Sequence, residues 1–404
     1  MNNLTYQRAS LLPSVGGLGE GSSSFPPPSE GLREAILIDS TLRDGEQAPG
    51  VVFSMEEKMK IAALLDECRV PEVEVGTPAM GDNELRIIRE IVRAGFRFDK
   101  LCWARATEAD IRASAKTGAG RISISFPVSD IQLSAMGRNR EWVMRQIGPM
   151  ISLARSEFGF VAVGAQDASR ADRAFLNEFI AACLAKGANR IRLADTVGVL
   201  NPLTTANLLI SVRSLFPFAD FEFHGHNDLG MATANSFTAL MSGAGSVSAT
   251  VNGLGERAGN TCLEELAVAL DLSSANKTGI RLPALQQLCH FVAEASGRPT
   301  PPAKPITGKL VCSHESGIHA RSLLHDELSY QPFLSEKIGR KTELVIGKHS
   351  GKAMISDFFR KKKIALSEAE SQVLTLRAKE LSVGKKRALN EEELVLLAKS
   401  VKTK

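Results

Sequence analysis

The chain has 404 residues with 49 Lys+Arg against 45 Asp+Glu, a formal net charge of +4, and 44% hydrophobic and 23% charged residues. This is an ordinary globular balance with room for one large domain and a smaller one, and it falls far short of the basic footprint of a nucleic-acid binder. Six scattered cysteines without a CxxC pair exclude a disulfide framework and a cysteine zinc site. No stretch approaches the roughly 18 apolar residues of a membrane span and no signal peptide is visible. A cytoplasmic protein with neither membrane nor nucleic-acid partners is expected.

Residues 1–33 are rich in Gly, Ser and Pro and read as a flexible tail. A rhythm then begins. Short apolar or β-branched runs fall at 35–42, 72–76, 101–105, 121–127, 160–167, 190–196, 221–228 and 246–253. Each is followed by a helical pattern, at 54–70, 82–94, 107–117, 139–157, 172–186, 202–214, 230–242 and 262–273. The first helix opens on a capping box, Ser54 to Glu57, and its Ile61, Leu64, Leu65 and Cys68 share one face. Eight strand–helix units of this size predict a (β/α)8 barrel over 34–295, with a doubly wound open sheet as the competitor. A Pro-rich linker at 296–305 leads to a smaller, mainly helical C-terminal region at 306–404, with helices near 366–383 and 390–402.

In a barrel enzyme the chemistry sits at the C-terminal ends of the strands, and polar residues collect there. Strand one ends in DSTLRDGEQ, strand two in Glu74, strand five in AQD, strand six in ADT, strand seven in HGHND and strand eight in NGLGERAGN. Residues two apart on a strand share a face, so His224, His226 and, if the strand persists, Asp228 point together, with Gly225 leaving room between them. Two such imidazoles bind one divalent ion when a carboxylate from another strand completes the site. Asp44 and Asn260 are the neighbours available; two hydrogen-bonded core histidines are the alternative. Arg43 offers a permanent fork of donors to an oxyanion, or a structural ion pair with Asp44, Glu46 or Glu74. NGLGERAGN (252–260) has one residue too many for a dinucleotide loop, and GKHSGKA (347–353) is one short of a P-loop. HESGIHARSLL (314–324) brings two histidines five apart beyond the barrel.

Taken together, DSTLRDGEQAPGVVFS, FHGHNDLGMATANS, NGLGERAGN, HESGIHARSLL and IGKHSGK resemble the acyl-CoA Claisen-condensing synthases, the isopropylmalate, homocitrate and citramalate synthases, over about residues 35–355. The resemblance implies the same barrel, followed by a lid that reaches over the active site of the neighbouring subunit in a homodimer. It assigns Asp44, His224 and His226 as ligands of a divalent ion (Zn, Mn, Mg or Co), with Asn260 as a further or weaker ligand. It assigns Arg43 to the keto oxygen, Gln47, Glu74 and Thr196 to the substrate pocket, and His319 and Tyr330 to catalysis from the lid. Acetyl-CoA and a 2-oxo acid are the implied substrates. One departure stands out: where the family usually has Glu before Asp on strand five, this chain has Gln166.

The short chain, DTVGVLNP (195–202) and MGRNREWV (136–143) look most like the nitrogen-fixation type of homocitrate synthase, which condenses acetyl-CoA with 2-oxoglutarate for the nitrogenase iron–molybdenum cofactor. The lysine-pathway type carries an Arg and a Ser near strand five for the distal carboxylate; Ala162 and Gly164 stand there, so another cation is required, with Arg105 and Arg138 as candidates. The 2-isopropylmalate and citramalate synthases remain as alternatives, as does a non-catalytic barrel that binds metal or acyl-CoA.

Overall fold

The computed structural model describes residues 35–275 and 277–402, so the tail expected over 1–33 lies outside the described residues. Eight parallel strands close into a barrel in sequence order: β1 (Ile36–Asp39), β2 (Glu72–Gly76), β3 (Asp99–Arg105), β4 (Arg121–Pro127), β5 (Phe160–Gln166), β6 (Arg190–Asp195), β7 (Phe221–Gly225) and β8 (Ser246–Ala249). Closure is made by β1 on β8, with Ile36 opposite Ser246 and Asp39 opposite Ala249. The open doubly wound sheet is thereby excluded.

The helices between the strands are α1 (Met55–Glu67), α2 (Asp82–Arg93), α3 (Glu108–Ala115), α4 (Asp130–Ala135), α5 (Arg140–Glu157), α6 (Arg173–Ala185), α7 (Pro202–Leu215) and α8 (Ala232–Met241), with α9 (Leu263–Ser273) after β8. The capping box forms: the Glu57 amide donates to Ser54 Oγ at 3.2 Å, and the Ser54 amide to Glu57 Oε2 at 2.7 Å. Ile61, Leu64, Leu65 and Cys68 are all buried. Sequence periodicity does not reveal α4, nor α10 (Leu285–Ala295), which packs beside α1. Beyond the barrel come α11 (Gly317–Leu323), α12 (Lys352–Lys361), α13 (Glu368–Lys385) and α14 (Glu391–Lys402). Ala320, Ile355, Phe359, Leu374 and Leu394 form a second apolar cluster there, separate from the barrel core.

Three strands stop earlier than their alternating pattern. β1 ends at Asp39 because the Ser40 carbonyl accepts the amides of Arg43, Asp44 and Gly45 at 3.1, 2.8 and 3.0 Å, closing a tight turn. β7 ends at Gly225, so Asp228 is not on a strand. β8 ends at Ala249 and passes into a 3-10 turn at Val251–Gly253. The Pro-rich linker is held at the barrel, since Lys304 Nζ lies 2.8 Å from Glu264 and 2.7 Å from Glu265.

Candidate active site

The turn on the Ser40 carbonyl throws Arg43 and Asp44 back over the mouth of the barrel. Asp44 is 2% exposed; its Oδ1 lies 3.4 Å from Arg43 Nη1, and its Oδ2 lies 3.0 Å from His224 Nε2 and 3.8 Å from His226 Nε2. The two Nε2 atoms are 3.3 Å apart, with the rings nearly perpendicular. Ligand atoms about 2.1 Å from one ion at angles between square and tetrahedral stand about 3.0–3.4 Å apart; two of the three separations fall in that range and the 3.8 Å one is wider, which makes the trio a candidate site for a divalent ion.

The donor set agrees with that geometry. Asp44 Oδ2 and Asn260 Oδ1 are buried and have no hydrogen-bond partner among the described residues. Asn260 is paired to His226 across an isolated antiparallel bridge. Its Nδ2 donates to the Leu254 carbonyl at 3.1 Å, which leaves Oδ1 as the free acceptor. A Cβ on Gly255 would overlap this amide, and one on Gly259 would overlap the Gly253 carbonyl, so the glycines of NGLGERAGN let its backbone fold tightly behind Asn260. Burial alone would raise the Asp44 carboxyl, but the Arg43 guanidinium and the neighbouring His224 outweigh it and hold the group far below the usual carboxylate range. Burial and the neighbouring His224 push His226 down to about 4. An ionised carboxylate facing a neutral imidazole is the protonation state a metal needs.

Gly225 does not separate the histidines. It faces the opposite side of β7, where a Cβ would come within 2.8 Å of the Phe223 ring. Asp228, off the strand, is forked to Arg257 at 2.7 and 2.9 Å.

Below the trio lies a row of buried ion pairs, of which sequence reading offered only the pairing of Arg43 with Glu74. Arg43 donates through Nε, and lies 2.7 Å away through Nη2, to Glu74 Oε2, while Glu74 Oε1 accepts from Arg192 Nη2 at 2.6 Å. Ser40 Oγ also donates to Glu74. Deeper in the barrel, Arg190 bonds Glu72 at 2.7 Å and Arg121 pairs with the same carboxylate at 2.9 Å. The signal was in the sequence: charges alternate along the apolar strands EVEV, RIRL and FEF, and in a closed barrel such residues point inward.

Glu74, expected to line the substrate pocket or to pair with Arg43, has both oxygens engaged by Arg43 and Arg192 and is fully enclosed. Burial would raise it, yet Arg192 and Arg43 bring it down to about 2. Replacing Glu74 with Ala strands two buried guanidiniums, and a loss of about 3–5 kcal/mol of unfolding free energy is expected, read from urea midpoints at pH 7. In the wild type this contribution is present above the unfolded value of 4.5 and is lost as pH falls toward 2.

The remaining expected site residues divide. Gln47 is exposed at the end of the 3-10 turn Gly45–Gln47 after β1. Thr196, half-buried past β6, accepts the Asp167 amide on its hydroxyl at 2.8 Å. Gln166 is half-buried as the last residue of β5. His319 and Tyr330 are not brought to the metal trio: they stack on each other, centroids 4.0 Å apart, exposed beyond the barrel. Arg105 has its fork on Asp110 at 2.8 and 2.9 Å, and Arg138 lies over Trp142. A second cluster of candidate ligands, Cys262, Glu264 and Glu265, already surrounds a cation, the Lys304 ammonium.

A closed parallel barrel with an Asp-His-His cluster and a clamped arginine at the C-terminal ends of its strands has the layout of a barrel enzyme with a candidate metal site. The chain matches the HMGL-like family over residues 34–292 and the homocitrate synthase post-HMGL domain-like family over 306–386. It is 44% identical to Homocitrate synthase 1 of Nostoc sp. over 372 residues, 91% of this chain and 98% of that one. It is 39% identical to 2-isopropylmalate synthase 2 of Caldanaerobacter subterraneus over 370 residues, 91% and 96% of the two chains. Among solved structures, the HMG-CoA lyase of Bacillus subtilis superposes with a TM-score of 0.60 at 17% identity, covering 67% of this chain and 96% of that one. The chain belongs to the HMGL-like family, in its acyl-CoA condensing synthase branch, and it is an enzyme.

Proposed function

We propose that the protein is a homocitrate synthase, joining acetyl-CoA to 2-oxoglutarate and releasing homocitrate and CoA. The observation that carries this reading is the convergence of Asp44, His224 and His226 beside Arg43 at the barrel mouth, in a chain most of whose length is similar to the Nostoc homocitrate synthase. Asp44, His224 and His226 would hold the ion, with Asn260 Oδ1 as a further donor. When bound, the ion supplies Lewis-acid polarisation to the 2-oxo acid.

The chain's own residues supply the rest. Arg43, fixed by Glu74 through Nε and Nη2, turns its Nη1 toward Asp44 at 3.4 Å, beside the place of the keto oxygen, where negative charge develops as the new bond forms. A methyl proton leaves acetyl-CoA, the methyl carbon bonds the keto carbon, and the keto oxygen takes a proton. Water then cleaves the thioester, which makes the sequence irreversible. His319 handles the protons, with Tyr330 stacked on it as its orienting partner. Gln47 and Thr196 border the substrate.

For His319 to act, the lid must cover a barrel mouth, and we propose that it covers the mouth of a second copy. The loops on the C-terminal face expose Val52, Met80, Ile131, Met136, Val199 and Leu229, and the lid exposes Ile318, Leu324, Leu328 and Leu334 around His319 and Tyr330. Two apolar surfaces of this kind on one chain are suited to an isologous dimer. All six cysteines are free, and such a reduced set supports a cytoplasmic enzyme. No described helix is long and apolar enough to cross a membrane. The resemblance of DTVGVLNP and MGRNREWV supports nitrogenase cofactor synthesis as the fate of the product.

The test is CoA thiol release with a divalent ion and each of 2-oxoglutarate, 2-oxoisovalerate, pyruvate and oxaloacetate. Highest kcat/KM with 2-oxoglutarate is expected. Preference for 2-oxoisovalerate, the reading favoured by similarity to the Caldanaerobacter enzyme, would replace the homocitrate assignment. No release with any oxo acid would sink the condensing reading and leave a binding barrel.

A further inference from the structure

Resting on the condensing reading, we infer that Arg192 receives the second acidic group of the oxo acid, at the end of the substrate remote from the reacting ketone. Ser125 on β4 is the cross-strand partner of Gly164 on β5, Gly164 of Arg192 on β6, and Arg192 of Glu222 on β7. These residues share the inner face of the barrel with Glu74. On the closed sheet β4 and β5 face β8 and β1 across the barrel, while β6 adjoins β7, so Arg192, opposite Glu222, stands one strand over from His224 and a step deeper in the barrel. A substrate whose ketone sits at the metal side therefore extends its tail toward Gly164 and Arg192.

That wall is built of small residues. Ala162 and Gly164 stand where bulk would close the space, and a Cβ on Gly164 would come 3.1 Å from the half-buried Ser125 Oγ. The polar atoms lining it are unsatisfied. Arg192 is 3% exposed and donates through Nη2 to Glu74, but Nη1 has no partner, and Nε, 2.6 Å from Glu222 Oε1, is not aligned for a hydrogen bond. Ser123 Oγ, deeper on β4, also has none. A guanidinium carries five N–H donors, and leaving them unmet in a buried site is costly. A carboxylate accepts from such a fork.

Three other cations near the mouth have both edges of their guanidinium engaged or clamped. Arg43 is clamped by Glu74, Arg105 is forked to Asp110 and Arg257 is forked to Asp228. Arg192 thus takes on this strand the role that a β5 cation would otherwise fill beside Ala162 and Gly164.

The test compares 2-oxoglutarate with 2-oxovalerate, in which a methyl group replaces the distal carboxylate, in the full-length metal-loaded enzyme. The ratio of kcat/KM for the two acids in Arg192→Gln is expected to fall about 10- to 100-fold, the worth of a charged hydrogen bond, chiefly through KM for 2-oxoglutarate. Equal losses for both acids would overturn the inference, because Arg192 would then act only by holding Glu74 and Arg43. Ser125→Ala leaves every ion pair intact and guards against misfolding of the first variant; it is expected to lower the same ratio about 5-fold, and an unchanged ratio would count against the subsite. Failure of the condensing reading is distinct, since wild-type enzyme would then release no thiol with any oxo acid.

Discussion

Replacing His226 with alanine is expected to abolish ion-dependent thiol release while the chain still melts in one cooperative transition. His226 sits one residue past the end of β7, 7% exposed, with its Nε2 aimed at His224 and Asp44 and its Nδ1 without a partner. It makes no side-chain bond that ties one element of the barrel to another. Its backbone does that work, donating to the Asp195 carbonyl and bridging to Asn260, and alanine preserves both. Losing an outer-shell partner of a metal ligand costs about 10–100-fold in affinity or activity, so losing a ligand should exceed that range. Bound metal after dialysis, thiol release and the thermal midpoint are measured together. If turnover disappeared because the chain unfolded, His224 and His226 would be core histidines joined by their 3.3 Å contact. Asp44→Asn should behave like His226→Ala, since it removes the one carboxylate of the trio.

Much of this arrangement was legible in the sequence, for a physical reason. Strands buried on both faces and amphipathic helices write two different periods, 2 and 3.6, and eight alternations of them admit few folds. The same period is blind to where a strand stops. Ser40 looks like part of β1 until its carbonyl is seen gathering three amides, and Asp228 shares the histidine pattern although the strand has ended at Gly225. The helix α11 is only seven residues long and opens on a glycine, and α12 starts directly behind the P-loop-like GKHSG, so neither offered a clear apolar stripe. The site divided along similar lines. Residues on strands that share a neighbour in the closed barrel, such as His224 on β7 and Asp44 after β1 with β8 between them, could be brought together from strand order. The engagement of Glu74 by Arg192 spans 118 positions and depends on barrel closure. His319 and Tyr330 meet each other on one chain, but what they face is a question about a second chain.

That question has a direct answer in mixed dimers. If the lid crosses subunits, each active site combines the barrel of one chain with His319 of the other. An Asp44→Asn chain and a His319→Ala chain should each be inactive alone. In a dimer containing one of each, one site pairs the barrel carrying Asp44→Asn with the lid carrying His319→Ala and is dead twice over, while the other joins an intact barrel to an intact lid. Random pairing of equal amounts makes about half the dimers hybrids with one working site of two, so about a quarter of wild-type turnover should return. Subunits must be exchanged by mild unfolding and refolding together, with each variant treated alone as the control. Restoration well above either control requires a lid that acts in trans. No restoration, in a dimer shown by its mass to be hybrid, would mean that His319 closes on its own barrel. The stacked His319–Tyr330 pair would then have to swing inward within one chain, and the exposed loops holding Val52, Met80 and Leu229 would need a different partner.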